Sequence, residues 1–141
     1  MSDLRKLYDP VINAHQANPY HFSKIRNPSH VVKAYNPVCG DRFDFFLEMK
    51  ENKIDSFHFH GYGCAVSMAA GSVLVKSLEG KTVDEAMGLC TSYLDTLKGK
   101  SEPCHEEWKS FTAVRDFPSR YDCAAMAWEA VRIFLNTIRK S

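Results

Sequence analysis

The spacing of apolar positions changes several times along the chain, and each change marks an element. In "SDLRKLYDPVINAHQANP" the residues Leu4, Leu7, Tyr8, Val11 and Ile12 recur every three or four positions. That spacing predicts an amphipathic first helix, which Asn18 and Pro19 stop. A polar connector, "HFSKIRNPSH", leads into the β-branched "VVKAYNPV". In "DRFDFFLEMKENKIDSFHFHG" the residues Phe43, Phe45, Leu47 and Met49 alternate with mostly polar neighbours until "KENK" turns the chain. Three antiparallel strands follow from that period of two. The aromatic alternation suits a half-buried sheet better than a ligand cleft.

Beyond Gly63 the period lengthens to that of a helix. "CAVSMAAGSVLVKSLEG" is rich in small and aliphatic residues and closes on Gly80, the pattern of a buried helix with a glycine after it. "TVDE", Thr82 to Glu85, fits a capping box and opens a further helix ending near Lys98. "GKSEP" interrupts the chain ahead of a short helical segment, "CHEEWKSFTAV", and "RDFPSR" interrupts it again at Pro118. The last helix, "CAAMAWEAVRIFLNTIRK", is expected to start at Cys123. It keeps Met126, Ala130, Ile133, Phe134, Thr137 and Ile138 in helical register and ends on Arg139 and Lys140, whose charge suits a helix C-terminus. These periods predict an α+β fold: a small antiparallel sheet of about three strands, packed against helices on one side.

Composition narrows the function classes. The 141 residues, 45% of them hydrophobic, suffice for one packed core, so residues 1–141 are expected to form a single domain. Eighteen basic against seventeen acidic residues, with no basic block or acidic tail, imply neither nucleic acid nor a charged membrane as partner. No apolar run reaches the roughly 18 residues that cross a bilayer. "MSDLRKLYDP" lacks the apolar core of a signal peptide, so the cytoplasm is the expected address. Five cysteines, an odd number, then point to thiolate chemistry or a metal site rather than a disulfide framework.

Cys39, Cys64 and Cys123 share one context. Each is expected at the end of an element, Cys39 after a strand and the other two at helix starts, where unpaired backbone N–H groups favour a thiolate. Asp41 adds an oxygen two residues from Cys39. Three thiolates and a carboxylate suit tetrahedral Zn2+, and a sulfur-rich set also accommodates iron or a transient iron-sulfur cluster. The long steps from Cys39 to Cys64 and Cys123 carry no chelating spacing, so the fold must gather these residues. Three buried structural thiols are the rival reading.

Other residues are expected to be bystanders. Cys104 and His105 imitate a ligand pair but belong on the surface of a short helix. His58 and His60 alternate on a strand and face the same way, a spacing that can chelate. No third ligand matches them in the pattern, so a partly exposed sheet face is expected. Cys90, among Met87, Leu89 and Leu94, reads as core. His15, His21 and His30 show no partner pattern. Val38 and Tyr62, apolar and beside the site loops, suit a protein contact.

"NPVCGD" (Asn36 to Asp41), "GYGCAVSMAAGS" (Gly61 to Ser72) and "FPSRYDCAAMAWEAV" (Phe117 to Val131) resemble the three signature segments of the U-type iron-sulfur cluster assembly proteins, in the family's order. "LYDPVINAHQANP" resembles the N-terminal helix of that IscU-like and SufU-like family. The resemblance implies that Cys39, Asp41, Cys64 and Cys123 are zinc ligands at one end of the sheet. Cys39 would be the sulfur acceptor, and Asp41 would tune its exchange. Asp122 stands where IscU-like scaffolds place His and where the SufU-like branch more usually has Lys. Arg120 falls where that branch commonly keeps a basic residue. The long step from Cys64 to Cys123, with its extra "KGKSEPCHEEWKSF" region, resembles the SufU-like branch.

That branch implies tightly held zinc and persulfide sulfur accepted from a SufS-like cysteine desulfurase, with downstream cluster-assembly proteins as further partners. Zinc keeps a cysteine deprotonated while occupying its lone pair, so transfer demands that Cys39 leave the metal as the donor arrives. The alternatives are a scaffold on which a [2Fe-2S] cluster is assembled and passed to apo-proteins, and a zinc-stabilised binding module without transfer chemistry.

Overall fold

Strands β1 (His30–Asn36), β2 (Asp41–Lys50) and β3 (Lys53–Tyr62) form an antiparallel sheet in the order β1-β2-β3 in the computed structural model, which describes residues 9–139. The period of two gives this sheet one apolar face. Val32 pairs with Phe45, Ala34 with Phe43, and Phe45 with Phe59, and all of these are buried. Glu51 and Asn52 join β2 to β3 at φ +51° and +66°. Both residues are thus left-handed, as a two-residue hairpin requires if its turn is to match the strands' twist. The connector ahead of β1 closes part of the free edge of β3: Phe22 bridges Phe59, and the Phe59 N–H donates to the His21 carbonyl at 3.1 Å.

Helix α1 (Pro10–Ala17) starts where Asp9 accepts a bond from the Ile12 N–H at 3.0 Å and ends at Asn18. The earlier part of the predicted helix, with Leu4, Leu7 and Tyr8, lies outside the described residues, as does Lys140. Helix α2 (Ala65–Leu78) lies on the apolar sheet face, its small residues admitting the aromatic rings. At Gly71 a Cβ would come within 2.9 Å of the Phe59 ring. Helix α3 (Val83–Leu97) carries the expected capping box: the Glu85 N–H donates to Thr82 Oγ1 at 3.1 Å, and the Thr82 N–H donates to Glu85 Oε1 at 3.0 Å.

A 3₁₀ helix (Glu106–Asp116) follows, and then α4 (Pro118–Arg139). Far from being surface decoration, the 3₁₀ helix drives Trp108, Phe111 and Val114 into the core. Trp108 meets Trp128 of α4 edge-on at 5.6 Å, and Tyr93 of α3 stacks on Trp128 at 3.8 Å. Two of the buried polar atoms here find the partners that burial demands: the Tyr93 hydroxyl donates to the Ala124 carbonyl at 2.8 Å, and Trp128 Nε1 donates to that of Ala70 at 3.1 Å, whereas the buried Trp108 Nε1 has none.

The structure corrects two expectations about the last helix. It begins at Pro118, not Cys123, because proline's missing N–H costs nothing at the first helical position. Its buried stripe runs through Ala124, Ala127, Trp128, Val131 and Leu135, while Ile133 is 65% exposed. The α+β class and the three-stranded antiparallel sheet stand as expected. Among the described residues no helix is long and apolar enough to cross a membrane.

Candidate metal centre

The turn between β1 and β2 is specified by its own sequence, "NPVCG". Asn36 Oδ1 accepts from the Val38 N–H at 3.2 Å, and the Asn36 carbonyl accepts from the Gly40 N–H at 2.8 Å. Gly40 closes the turn at φ +74°, a region open to glycine at no steric cost. The result is an exposed Cys39 followed, two residues on, by Asp41, which is 1% exposed at the start of β2.

Cys64 arrives from the other side. It is the N-cap of α2, and its Sγ accepts from the Ser67 N–H at 3.4 Å, the place a serine or aspartate oxygen usually takes. Asp41 Oδ1 in turn accepts from the Cys64 N–H at 2.9 Å, locking β2 to the helix start. Cys123 enters from the second turn of α4 and is buried, with its Sγ 3.7 Å from that of Cys39. The expected helix-start effect on a thiolate therefore applies to Cys64 and not to Cys123.

Cys39, Asp41 and Cys123 each bring a donor atom within 4.8 Å of the others, at the end of the sheet where the turn lies. Cys64 is outside that tightest set but makes a thiol contact with Cys123. Bonds from Cys123 and Ser67 outweigh burial and the Asp41 charge, lowering the Cys64 pKa to about 6. Cys123 moves the opposite way, because its contacts with the Cys64 and Cys39 sulfurs and its burial favour the protonated thiol.

The donor chemistry suits a metal. Two sulfurs in a tetrahedral zinc site with bonds of about 2.3 Å sit about 3.8 Å apart, close to the Cys39–Cys123 spacing. Asp41 Oδ2 is buried and has no hydrogen-bond partner, an arrangement that is costly unless a cation or proton serves it.

Ser67 was not marked by the sequence reading. It is 1% exposed, and its hydroxyl donates to the Cys64 carbonyl at 3.0 Å. Its position three residues after a cap is the signal that points to it. Cys90 is buried core as expected, with burial pushing its thiol up to about 12. Cys104 is exposed, 3.5 Å from Ser92 Oγ, and His105 caps the 3₁₀ helix against Trp108. His15 does have partners: its ring bonds Ser72 Oγ and Glu107 Oε2, pinning α1 to α2 and the 3₁₀ helix. Val38 and Tyr62 are 87% and 62% exposed beside the site.

An α+β domain that gathers thiols and a carboxylate at one end of a three-stranded sheet is a recognisable class. The chain belongs to the NifU-like N terminal domain family, whose match covers residues 7–140. Over 135 residues it is 30% identical to the iron-sulfur cluster assembly scaffold protein IscU of Streptococcus pyogenes serotype M1, spanning 94% of this chain and 84% of the relative. Over 133 residues it is 31% identical to the zinc-dependent sulfurtransferase SufU of Bacillus subtilis strain 168, spanning 92% and 90%. A crystal structure from Fervidobacterium islandicum AW-1, assigned as an iron-sulfur cluster assembly scaffold for the SUF system, superposes with a TM-score of 0.86 at 26% identity over 93% of this chain and 98% of that one. The family resemblance read from the three cysteine segments is borne out.

Proposed function

We propose that the protein works in iron-sulfur cluster assembly as a zinc-dependent sulfur acceptor, taking persulfide sulfur from a cysteine desulfurase of the SufS type. The observation that carries this reading is an exposed Cys39 thiol on a tight turn, beside a buried thiol and an orphaned carboxylate oxygen. Cys39, Asp41, Cys64 and Cys123 are the residues that would hold zinc, and bound zinc keeps coordinating thiols ionised at neutral pH.

The chain's own residues do the rest. Cys39, the acceptor of the set, attacks the terminal sulfur of the donor persulfide. A new S–S bond forms on Cys39, the donor's S–S bond breaks, and the electron pair leaves on the donor cysteine as a thiolate. No outside oxidant or reductant is needed. Asp41 is held by the Cys64 N–H, so its carboxylate stays beside Cys39 through the exchange. Tyr35, Val38 and Tyr62, all exposed around this end of the sheet, offer the apolar contact a visiting enzyme needs.

The second reading, a scaffold for a [2Fe-2S] cluster, draws on the likeness to the Streptococcus pyogenes scaffold protein. Metal analysis of freshly purified protein separates the two. A colourless zinc protein that stimulates desulfurase turnover supports the acceptor. A protein that turns brown on anaerobic reconstitution and passes its cluster to an apo-ferredoxin supports the scaffold. Cys39→Ser is expected to abolish stimulated sulfide release; unchanged stimulation removes Cys39 from the acceptor role.

A further inference from the structure

We propose a second metal site, built by His21, His58 and Glu79 and taking a divalent ion of the Zn2+ class, at the far end of α2 from the cysteines. The three residues come from three elements: His21 from the connector after α1, His58 from β3, and Glu79 from the C-cap of α2. One ring nitrogen from each histidine and one carboxylate oxygen lie within 4.8 Å of one another. All three side chains are partly exposed, so an ion can reach them. Fourteen helical residues separate this cluster from Cys64, about 20 Å at the α-helical rise, so no ion is shared between the two places.

His21 sets the geometry. Its Nδ1 faces two oxygen acceptors at once, Glu79 Oε2 at 3.0 Å and the Phe57 carbonyl at 3.1 Å. One proton points squarely at only one of them. An ion at that point serves all three atoms, because tetrahedral bonds of about 2.1 Å hold neighbouring N and O ligands about 3.4 Å apart.

The supports that metal ligands require are already in place. The Tyr20 hydroxyl donates to Glu79 Oε1 at 2.9 Å, and the Phe57 N–H donates to Glu79 Oε2 at 3.1 Å. Ser23 Oγ lies 2.9 Å from His58 Nδ1, which leaves His58 Nε2 for the ion. The two imidazoles stack with centroids 4.4 Å apart, and His21 holds φ +47°, a conformation in which histidine is enriched. Two imidazole nitrogens with one carboxylate favour a borderline ion over Ca2+ or Mg2+, which prefer all-oxygen shells. Bound there, the ion ties the connector to the edge of β3 and the end of α2.

The test is a cobalt titration of protein already carrying one zinc per chain. A bound Co2+ with visible ligand-field bands and no thiolate-to-cobalt charge transfer is expected, since its ligands are nitrogen and oxygen. His58→Gln and Glu79→Gln are each expected to weaken that binding about tenfold or more while the far-ultraviolet circular dichroism stays unchanged. Absence of the extra Co2+, thiolate charge transfer, or bands that survive in both variants overturns the proposal. Should either variant misfold, the wild-type protein answers alone: the ring nitrogen resonances of His21 and His58 shift on adding the second equivalent of Zn2+, and unmoved signals overturn the site. Sulfur transfer is read separately by the desulfurase assay, so either conclusion can fail without the other.

Discussion

Replacing Gly63 by alanine tests whether the loop between β3 and α2 holds Asp41 and Cys64 in place. A Cβ there would sit 2.4 Å from Ser67 Oγ, 2.8 Å from Asp41 Oδ1 and 2.9 Å from the Phe43 ring. Phe43 is fully buried and close-packed, so it has nowhere to go. Ser67 and Asp41 must therefore retreat, by about half an ångström or more, to reach ordinary contact distances near 3.5 Å. Moving Asp41 breaks its 2.9 Å bond with the Cys64 N–H, and turning Ser67 away forfeits its 3.0 Å bond to the Cys64 carbonyl. A bond to a carboxylate contributes about 2 kcal/mol and a neutral one about 1 kcal/mol, so the expected loss is about 3 kcal/mol.

Urea denaturation of metal-stripped protein measures that loss as a lower midpoint at unchanged slope. Gly88→Ala is the control: Gly88 is exposed on α3, and nothing lies within 4 Å of the added methyl. It is expected to stabilise by about 0.5–1 kcal/mol through helix propensity. Zinc competition with a chromophoric chelator should then show Gly63→Ala binding about tenfold or more weakly, the size of effect expected when a ligand's supports are lost. Wild-type stability and wild-type zinc affinity in Gly63→Ala would refute the reasoning, because the loop would then yield without disturbing either residue.

Two further outcomes follow from the same geometry. Asp41→Ala is expected to keep its zinc on three thiols while stimulated sulfide release falls about tenfold, as for a removed supporting carboxylate; complete loss of zinc would make the residue mainly structural. Cys90 supplies a pH dependence. Its folded pKa, raised to about 12 by burial, lies above an unfolded value of about 8.5. The thiol's contribution to stability is therefore complete below that unfolded value and is lost as pH rises toward the folded one, at about 1.4 kcal/mol per pH unit. Cys90→Ala should flatten this slope in denaturation measured between the two values, and an identical slope would exclude Cys90 as its source.

Much of the fold is legible because burial leaves a period. β2 buries Phe43, Phe45 and Leu47 on one face and, apart from Phe46, leaves the other face more open, so those three announce themselves. The Thr82 capping box is equally readable, since its two bonds span three residues. The last helix is harder. Pro118 reads as a break, yet at a first helical position it is a start, which places Cys123 inside the helix. Helical spacing in a helix with apolar residues on several sides fits more than one stripe, and only the packing of Trp128 against Tyr93 and Trp108 selects the true one. His15 bonds residues 57 and 92 positions away, and His21 meets Glu79 only because the connector folds over β3. Partners so distant leave no spacing to read. The cysteine cluster shares that difficulty, and family resemblance bridged it where spacing did not.

The aromatic cluster around Tyr93 makes the molecule its own optical reporter. Both tryptophans of the chain lie in that one cluster, edge to face, so intrinsic emission samples the packing of α3, α4 and the 3₁₀ helix and scarcely samples the sheet. The helix that carries Trp128 also carries Cys123. Any event that lifts α4 away from the other thiols must therefore disturb the fluorophore, and stopped-flow fluorescence would follow it in real time without a label.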